Sequence, residues 1–307
     1  MRRFLPSLII LALLIPADAA PYKDGFDAYQ KGDYAAALKL MMPLAAAGNG
    51  KAQYDVGAMY ANGLGVKPDF QQAAKWFGKA AEQKNPYAEQ DLAGLYVAGT
   101  GVTKNYGEAM RLYRLAAKGG ISAAELGIGA LYQYGFGVKL DYVEAGDWYR
   151  IAAGHGNAEA AYDLALLYSQ GIGMPQSYAQ AATWYRKSAE MGYASAQLNL
   201  GVLYFAGQGI PKNLPESAKW TRLAAQQGNG HAQFNLATLY LQGQGVPRSL
   251  PRAFVWFSAA AANLSDKQAQ IATAQSQTVA SSMTLEQKIE AKTVAEACKK
   301  GDYKGCD

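Results

Sequence analysis

Histidine and cysteine are scarce, with two of each in 307 residues. His155 and His231 belong to no recognisable constellation, and no H-E-x-x-H, G-x-S-x-G or S-x-x-K pattern stands in the context its chemistry requires. Both histidines read as solvated turn residues, His155 within Gly154-His155-Gly156-Asn157. No catalytic residue, metal or cofactor is expected on these grounds. Charge is sparse as well: Asp, Glu, Lys and Arg make up 17% of the chain, below the ~25% of ordinary domains. The net charge is +5 and no run of lysine and arginine gathers on one face, so a nucleic-acid footprint is excluded.

The N-terminal apolar run, Leu8 to Ile15, is shorter than the ~20 residues that cross a bilayer. It follows Met1-Arg2-Arg3 and precedes Ala17-Asp18-Ala19, the order of a secretory leader with small residues before the cut. A cleavable signal peptide is therefore expected at 1–19, with no stable membrane insertion afterwards. No cysteine stands at the cleavage site, which argues against a lipid-modified terminus. Losing Arg2, Arg3 and Asp18 lowers the formal charge from +5 to +4. The expected location is periplasmic or secreted.

What the chain has in abundance is repetition. An alanine recurs every 36 residues at Ala52, Ala88, Ala124, Ala160, Ala196 and Ala232, with a tyrosine eight positions on at Tyr60, Tyr96, Tyr132, Tyr168, Tyr204 and Tyr240. A Gly-x-Gly follows each tyrosine, from Gly63/Gly65 to Gly243/Gly245. All five tryptophans, Trp76, Trp148, Trp184, Trp220 and Trp256, share one further column, where Leu112 replaces the sixth. A fixed period of this length is the mark of a solenoid.

Within one unit, apolar and small residues fall at helical spacing on both sides of the glycine pair, so each unit predicts two antiparallel helices. The glycines serve the reversal between them; a phosphate loop would need parallel strands, which the sequence lacks. Small residues fill two columns, Gly57, Ala93, Gly129, Ala165, Gly201 and Ala237 on the first helix and Ala73, Ala109, Ala145, Ala181, Ser217 and Ala253 on the second. Against these seats the tyrosine and tryptophan columns are expected to pack.

The A-x-x-x-L-G-x-x-Y-x-x-G-x-G-V core and the A-x-x-W-Y-x-x-A-A second helix resemble the Sel1-like repeat, a relative of the tetratricopeptide repeat. The resemblance covers six units over 51–262, departing at Leu112, at Met174 and at Gly127. It implies an all-α, right-handed superhelical solenoid of helix–turn–helix repeats whose inner face is lined by first helices. Residues 20–50, with Tyr29-Gln30-Lys31-Gly32-Asp33-Tyr34, look like a shortened capping unit. Residues 263–307 read as a C-terminal helical cap, in which Thr284-Leu285-Glu286-Gln287 fits a capping box and a last helix runs from Leu285 to about Lys299. In an oxidising compartment the two cysteines of the tail, Cys298 and Cys306, are expected to pair; free thiols and metal binding are the alternatives.

Asp55, Asp91, Asp163, Asn199 and Asn235 form a polar column, read as hydrogen-bonding between adjacent helices and not as an acidic track for chemistry. The columns that do not repeat are free to specify a ligand. The richest set, and the expected partner-binding residues, are Gln133, Tyr134, Ser169, Gln170, Phe205, Leu241 and Gln242, which contain no lysine or arginine. A carboxylate clamp is thereby disfavoured, and an apolar, amide-rich groove for a peptide or helix is favoured. The expected function is a non-catalytic interaction scaffold or regulator of the bacterial cell envelope. Peptidoglycan or polysaccharide binding is the alternative. Hydrolase activity, described for similar proteins with a disulfide in every repeat, lacks its cysteines here.

Overall fold

The computed structural model describes residues 19–301 and 303–306; the leader expected at 1–19 lies, but for the backbone of Ala19, outside the described residues. Every element among them is helical. The pair α1 (Ala19–Gln30) and α2 (Tyr34–Ala46) precedes six further pairs. These are α3 (Gly50–Asn62) with α4 (Phe70–Glu82), α5 (Pro86–Ala98) with α6 (Tyr106–Lys118), α7 (Ser122–Tyr134) with α8 (Tyr142–Gly154), α9 (Ala158–Gln170) with α10 (Tyr178–Glu190), α11 (Ala194–Ala206) with α12 (Leu214–Gln226), and α13 (Gly230–Gln242) with α14 (Leu250–Asn263). Two longer helices, α15 (Asp266–Ser282) and α16 (Leu285–Lys300), end the chain. The chain divides between Ala124 and Glu125 into two compact units, and within each the main packing runs between consecutive helices. The fold class is all-α, a helix–turn–helix repeat solenoid.

Local chemistry explains the boundaries. Asn49, Asp69, Asn85, Asn105, Asp141, Asn157, Ser177, Asn213, Asn229 and Ser249 each accept a backbone N–H of the helix they precede. The first glycine of each pair closes its helix in the left-handed conformation, as Gly207 does with φ 70°. The second is required for a different reason. A Cβ on Gly245 would fall on the carbonyl of Leu214, the first residue of α12, and Gly101 stands in the same relation to Phe70. The turn of one repeat thus lies directly on the second helix of the repeat before it.

The ring that enters the small seat of the first helix is not the tryptophan but the residue after it. Phe77, Tyr113, Tyr149, Tyr185 and Phe257 are all buried, as is Thr221 in the same column. A Cβ on Gly129 would meet the Tyr149 ring at 2.5 Å, and one on Gly57 the Phe77 ring at 2.7 Å. Of the tryptophans, Trp76 and Trp256 are buried and Trp148, Trp184 and Trp220 half-buried. Lysines one turn on cover two of them, Lys79 at 4.6 Å from the Trp76 ring centre and Lys187 at 5.2 Å from that of Trp184. Tyr60, Tyr96, Tyr132, Tyr168 and Tyr204 are half-buried and Tyr240 is buried.

Buried polar ladders join one repeat to the next. Gln53, Gln197 and Gln233 donate to the carbonyls of Ala45, Ala189 and Ala225. Their oxygens accept from Gln83, Gln227 and Asn263, 30 residues on, at 2.7, 2.8 and 3.0 Å. In the same column Glu125 is buried, and the Nδ1 atom of His155 lies 2.9 Å from its carboxylate. His155 is exposed at its turn, yet it is the partner of a buried acid, which the expectation of a purely solvated residue missed.

At the C-terminus Cys298 and Cys306 form a disulfide with Cα atoms 4.3 Å apart. Its loop lays Tyr303 against Trp256, ring centres 6.5 Å apart, and the Tyr303 hydroxyl accepts from Asn263 at 2.8 Å. The tail thereby covers the last repeat where no further repeat follows.

Candidate functional site

The expected binding residues all lie in the second unit, at the C-terminal ends of first helices. Tyr134 is 59% exposed and stacks on Phe136 at 5.5 Å. Phe205 and Val202 are exposed on α11, whereas Leu241 is half-buried and Gln170 and Gln242 face solvent. Two of the set are engaged internally. Gln133 accepts from the Tyr149 hydroxyl at 2.5 Å, and the Ser169 hydroxyl donates to the Leu166 carbonyl at 2.9 Å. The structure also brings in cations that these rows lack: Lys212 sits 5.6 Å from the Phe205 ring centre, and Arg248 donates to the Leu241 carbonyl. Both come from the loop seven residues on.

One concavity stands out on this face. Between α11, α12 and α13 a pocket of about 270 Å³ is lined by Val202, Phe205, Thr221, Phe234, Thr238 and Gln244 among others. Its origin is the column of buried rings. Where the neighbouring repeats place Tyr185 and Phe257, this one has Thr221, and opposite it stands Gly201 with no side chain. Phe205 is the one member of the expected set in the lining. The Oε1 atom of Gln244 is buried there without a hydrogen-bond partner, an open acceptor that costs stability while it stays unpaired.

A polar column links neighbouring first helices. Tyr22 donates to Asp55 at 2.7 Å, Tyr54 bonds Asp91, and Tyr162 bonds Asn199. Burial raises the carboxyl pKa of Asp55 and of Asp91, and their tyrosines partly offset it. Asp163 is pushed up to about 7, by burial first and by Glu159 second. Among the described residues no group of histidine, cysteine, aspartate and glutamate is placed to hold a metal ion, and no helix is long and apolar enough to cross a membrane.

The Sel1 repeat family model matches six consecutive segments, 50–85, 86–121, 122–157, 158–193, 194–229 and 230–263. The chain belongs to the Sel1 repeat family. Among solved structures, it is similar to a Sel1 repeat protein from Oxalobacter formigenes, 35% identical over 78% of this chain and 98% of that one, with a TM-score of 0.73. It is also similar to c5321, a protective antigen present in uropathogenic Escherichia coli strains and displaying an SLR fold. There the identity is 28% over 94% of this chain and 70% of that one, with a TM-score of 0.54. No curated protein sequence matches. The Sel1 repeat fold is generally a protein-interaction scaffold.

Thr221 and Gln244 escaped sequence reasoning, although the signal for Thr221 was present. A threonine interrupts a column otherwise filled by phenylalanine and tyrosine, and its meaning depends on knowing that this column carries the buried ring.

Proposed function

We propose that this Sel1 repeat protein is a non-catalytic scaffold of the bacterial cell envelope that holds a partner protein on the first-helix face of its repeats. The observation that carries the proposal is the pocket at Thr221. It has the size and lining to take one apolar or aromatic side chain, and Gln244 offers an unpaired acceptor to an N–H group beside it. Such an anchor, desolvated and flanked by exposed Val202 and Phe205, is the usual form of an interface hot spot. A periplasmic or secreted location is supported by the leader pattern before Ala19 and by the Cys298–Cys306 disulfide, which an oxidising compartment maintains.

The test is affinity capture from an envelope extract with residues 20–307, beside a Tyr134→Ala/Phe205→Ala variant of equal helical content. A stoichiometric protein retained by the wild type and lost by the variant is the expected outcome. Equal retention by both would reject this face as the binding surface.

A further inference from the structure

Four columns are broken where the first repeat meets the second, two in each repeat, and the four positions surround one cleft. Gly78 stands where the next four repeats carry Arg114, Arg150, Arg186 and Arg222, and Leu112 where the others carry tryptophan. Gly119 stands where Gln83, His155, Gln227 and Asn263 supply the ladder's nitrogen. Lys84, with φ 60°, replaces the glycine that takes positive φ at Gly48, Gly120, Gly156, Gly192 and Gly228. These residues line a cleft of about 710 Å³ between α4, α5 and α6, all within the first unit.

The inner wall of the cleft carries Glu89, the ladder residue of the second repeat, which is 4% exposed. In the other repeats with a polar residue in this column, the partner 30 positions on provides a nitrogen. Here it cannot, because a Cβ on Gly119 would meet the Cβ of Pro86 at 2.6 Å. The Glu89 carboxylate therefore has no hydrogen bond or ion pair among the described residues. Arg111 acts on it only at a distance, since its guanidinium is held by Glu108 at 2.6 and 2.9 Å. Burial raises the carboxyl pKa of Glu89 and Arg111 offsets it in part; with no donor from the protein, the carboxylate is left to meet a ligand through the cleft. At the cleft's mouth are two exposed lysines, Lys84 and Lys118, with no ion pair of their own among the described residues, and between mouth and floor lie Leu92, Leu112 and Leu115. A lysine in a conformation that glycine adopts without strain is the kind of local cost that functional sites retain.

We propose that this cleft binds a small zwitterion, an ammonium and a carboxylate joined by an aliphatic stem, with the ammonium against Glu89 and the carboxylate toward Lys84 and Lys118. The site uses no residue of the Thr221 pocket, and its failure would leave the scaffold proposal intact. The ligand is either a free amino acid of this type or a lysine at a polypeptide's C-terminus.

The experiment is an NMR titration of ¹⁵N-labelled residues 20–307 with 6-aminohexanoate, representing the free amino acid, and with Nα-acetyl-lysine, representing the C-terminal lysine. Hexylamine and hexanoate serve as single-charge controls. Saturable shifts confined to α4, α5 and α6 are expected for at least one zwitterion, with both controls weaker by about tenfold or more. Glu89→Gln, which keeps the shape and removes the charge, is expected to weaken binding by about tenfold. Lys84→Gly, which restores the glycine of the column and relieves its backbone, is expected to weaken binding without lowering the melting temperature. The proposal is overturned if neither zwitterion saturates, if both variants bind like the wild type, or if hexylamine binds as tightly as the zwitterions.

Discussion

The guanidinium of Arg186, on α10, donates to the phenol oxygen of Tyr204, on α11, at 2.7 Å. The same contact, 18 residues apart in sequence, joins Arg150 to Tyr168 at 3.3 Å and Arg222 to Tyr240 at 3.1 Å. The repeated tyrosine is thus a latch between the second helix of one repeat and the first helix of the next. Because Arg186 is exposed, each latch contributes modestly. A double-mutant cycle of Arg186→Ala with Tyr204→Phe, read by urea unfolding, should give a coupling of about 0.5–1 kcal/mol. A coupling of zero would mean that the contact adds nothing to repeat stacking.

The second glycine of each pair should be far less tolerant. Gly245→Ala places a methyl group on the Leu214 carbonyl in a backbone conformation of φ 73°. A loss of about 2–4 kcal/mol is expected from strain and displacement together. A substitution at Gly154, where an added Cβ meets nothing, is the matched control and should cost well under half of that.

The Cys298–Cys306 disulfide closes a loop whose sequence separation is 8 and ties Tyr303 down on Trp256. Cys298→Ser/Cys306→Ser should lower stability by about 2.5 kcal/mol through loop-closure entropy. Amide exchange should accelerate in α14 and α16 and stay unchanged in α3 to α6. Uniform acceleration would contradict a local capping role.

Asp163 gives the stability a defined pH dependence. Its pKa in the folded protein, raised to about 7, lies above the ~3.9 of an unfolded aspartate, so the folded state holds the proton more tightly. Stability from this group is present below about pH 4 and is lost as pH rises toward 7. Relative to Asp163→Asn, the wild type should lose about 2 kcal/mol across that interval, a figure reduced from ~1.4 kcal/mol per pH unit for partial access to solvent. Parallel stability profiles for the two proteins would refute the raised pKa.

The period, the helix pairs and the glycine reversals were legible in the sequence because each depends on local chemistry repeated in register, and the disulfide pairing and the capping box at Thr284 because each joins residues close in sequence. The identity of the buried ring was not. Trp148 and Tyr149 are adjacent, but consecutive residues point about 100° apart around a helix, and it is the Tyr149 ring that a Cβ on Gly129 would meet. The larger ring drew the inference to the wrong column. The rows expected to bind a partner proved mixed, since Gln133 and Ser169 are occupied with Tyr149 and Leu166 while Phe205 lines a pocket. Lys212 and Arg248 reach those rows from the following loop, a fold-back that column alignment along helices does not reveal. His155 and Glu125 meet across 30 residues, which is one helix pair and hence invisible to any short motif.

In the proposed complex, the space left by Thr221 holds a side chain of the partner. Thr221→Tyr supplies from within the ring that Tyr149 and Tyr185 supply elsewhere, and the Gly201 seat leaves it the room that Gly129 gives Tyr149. The decisive measurement is calorimetric titration of the captured partner into wild type and Thr221→Tyr, with melting recorded for both. Equal or higher stability is expected, with an affinity reduced by about a hundredfold or more, the range of a lost hot spot. Unchanged affinity in a folded Thr221→Tyr protein would show that the partner binds elsewhere.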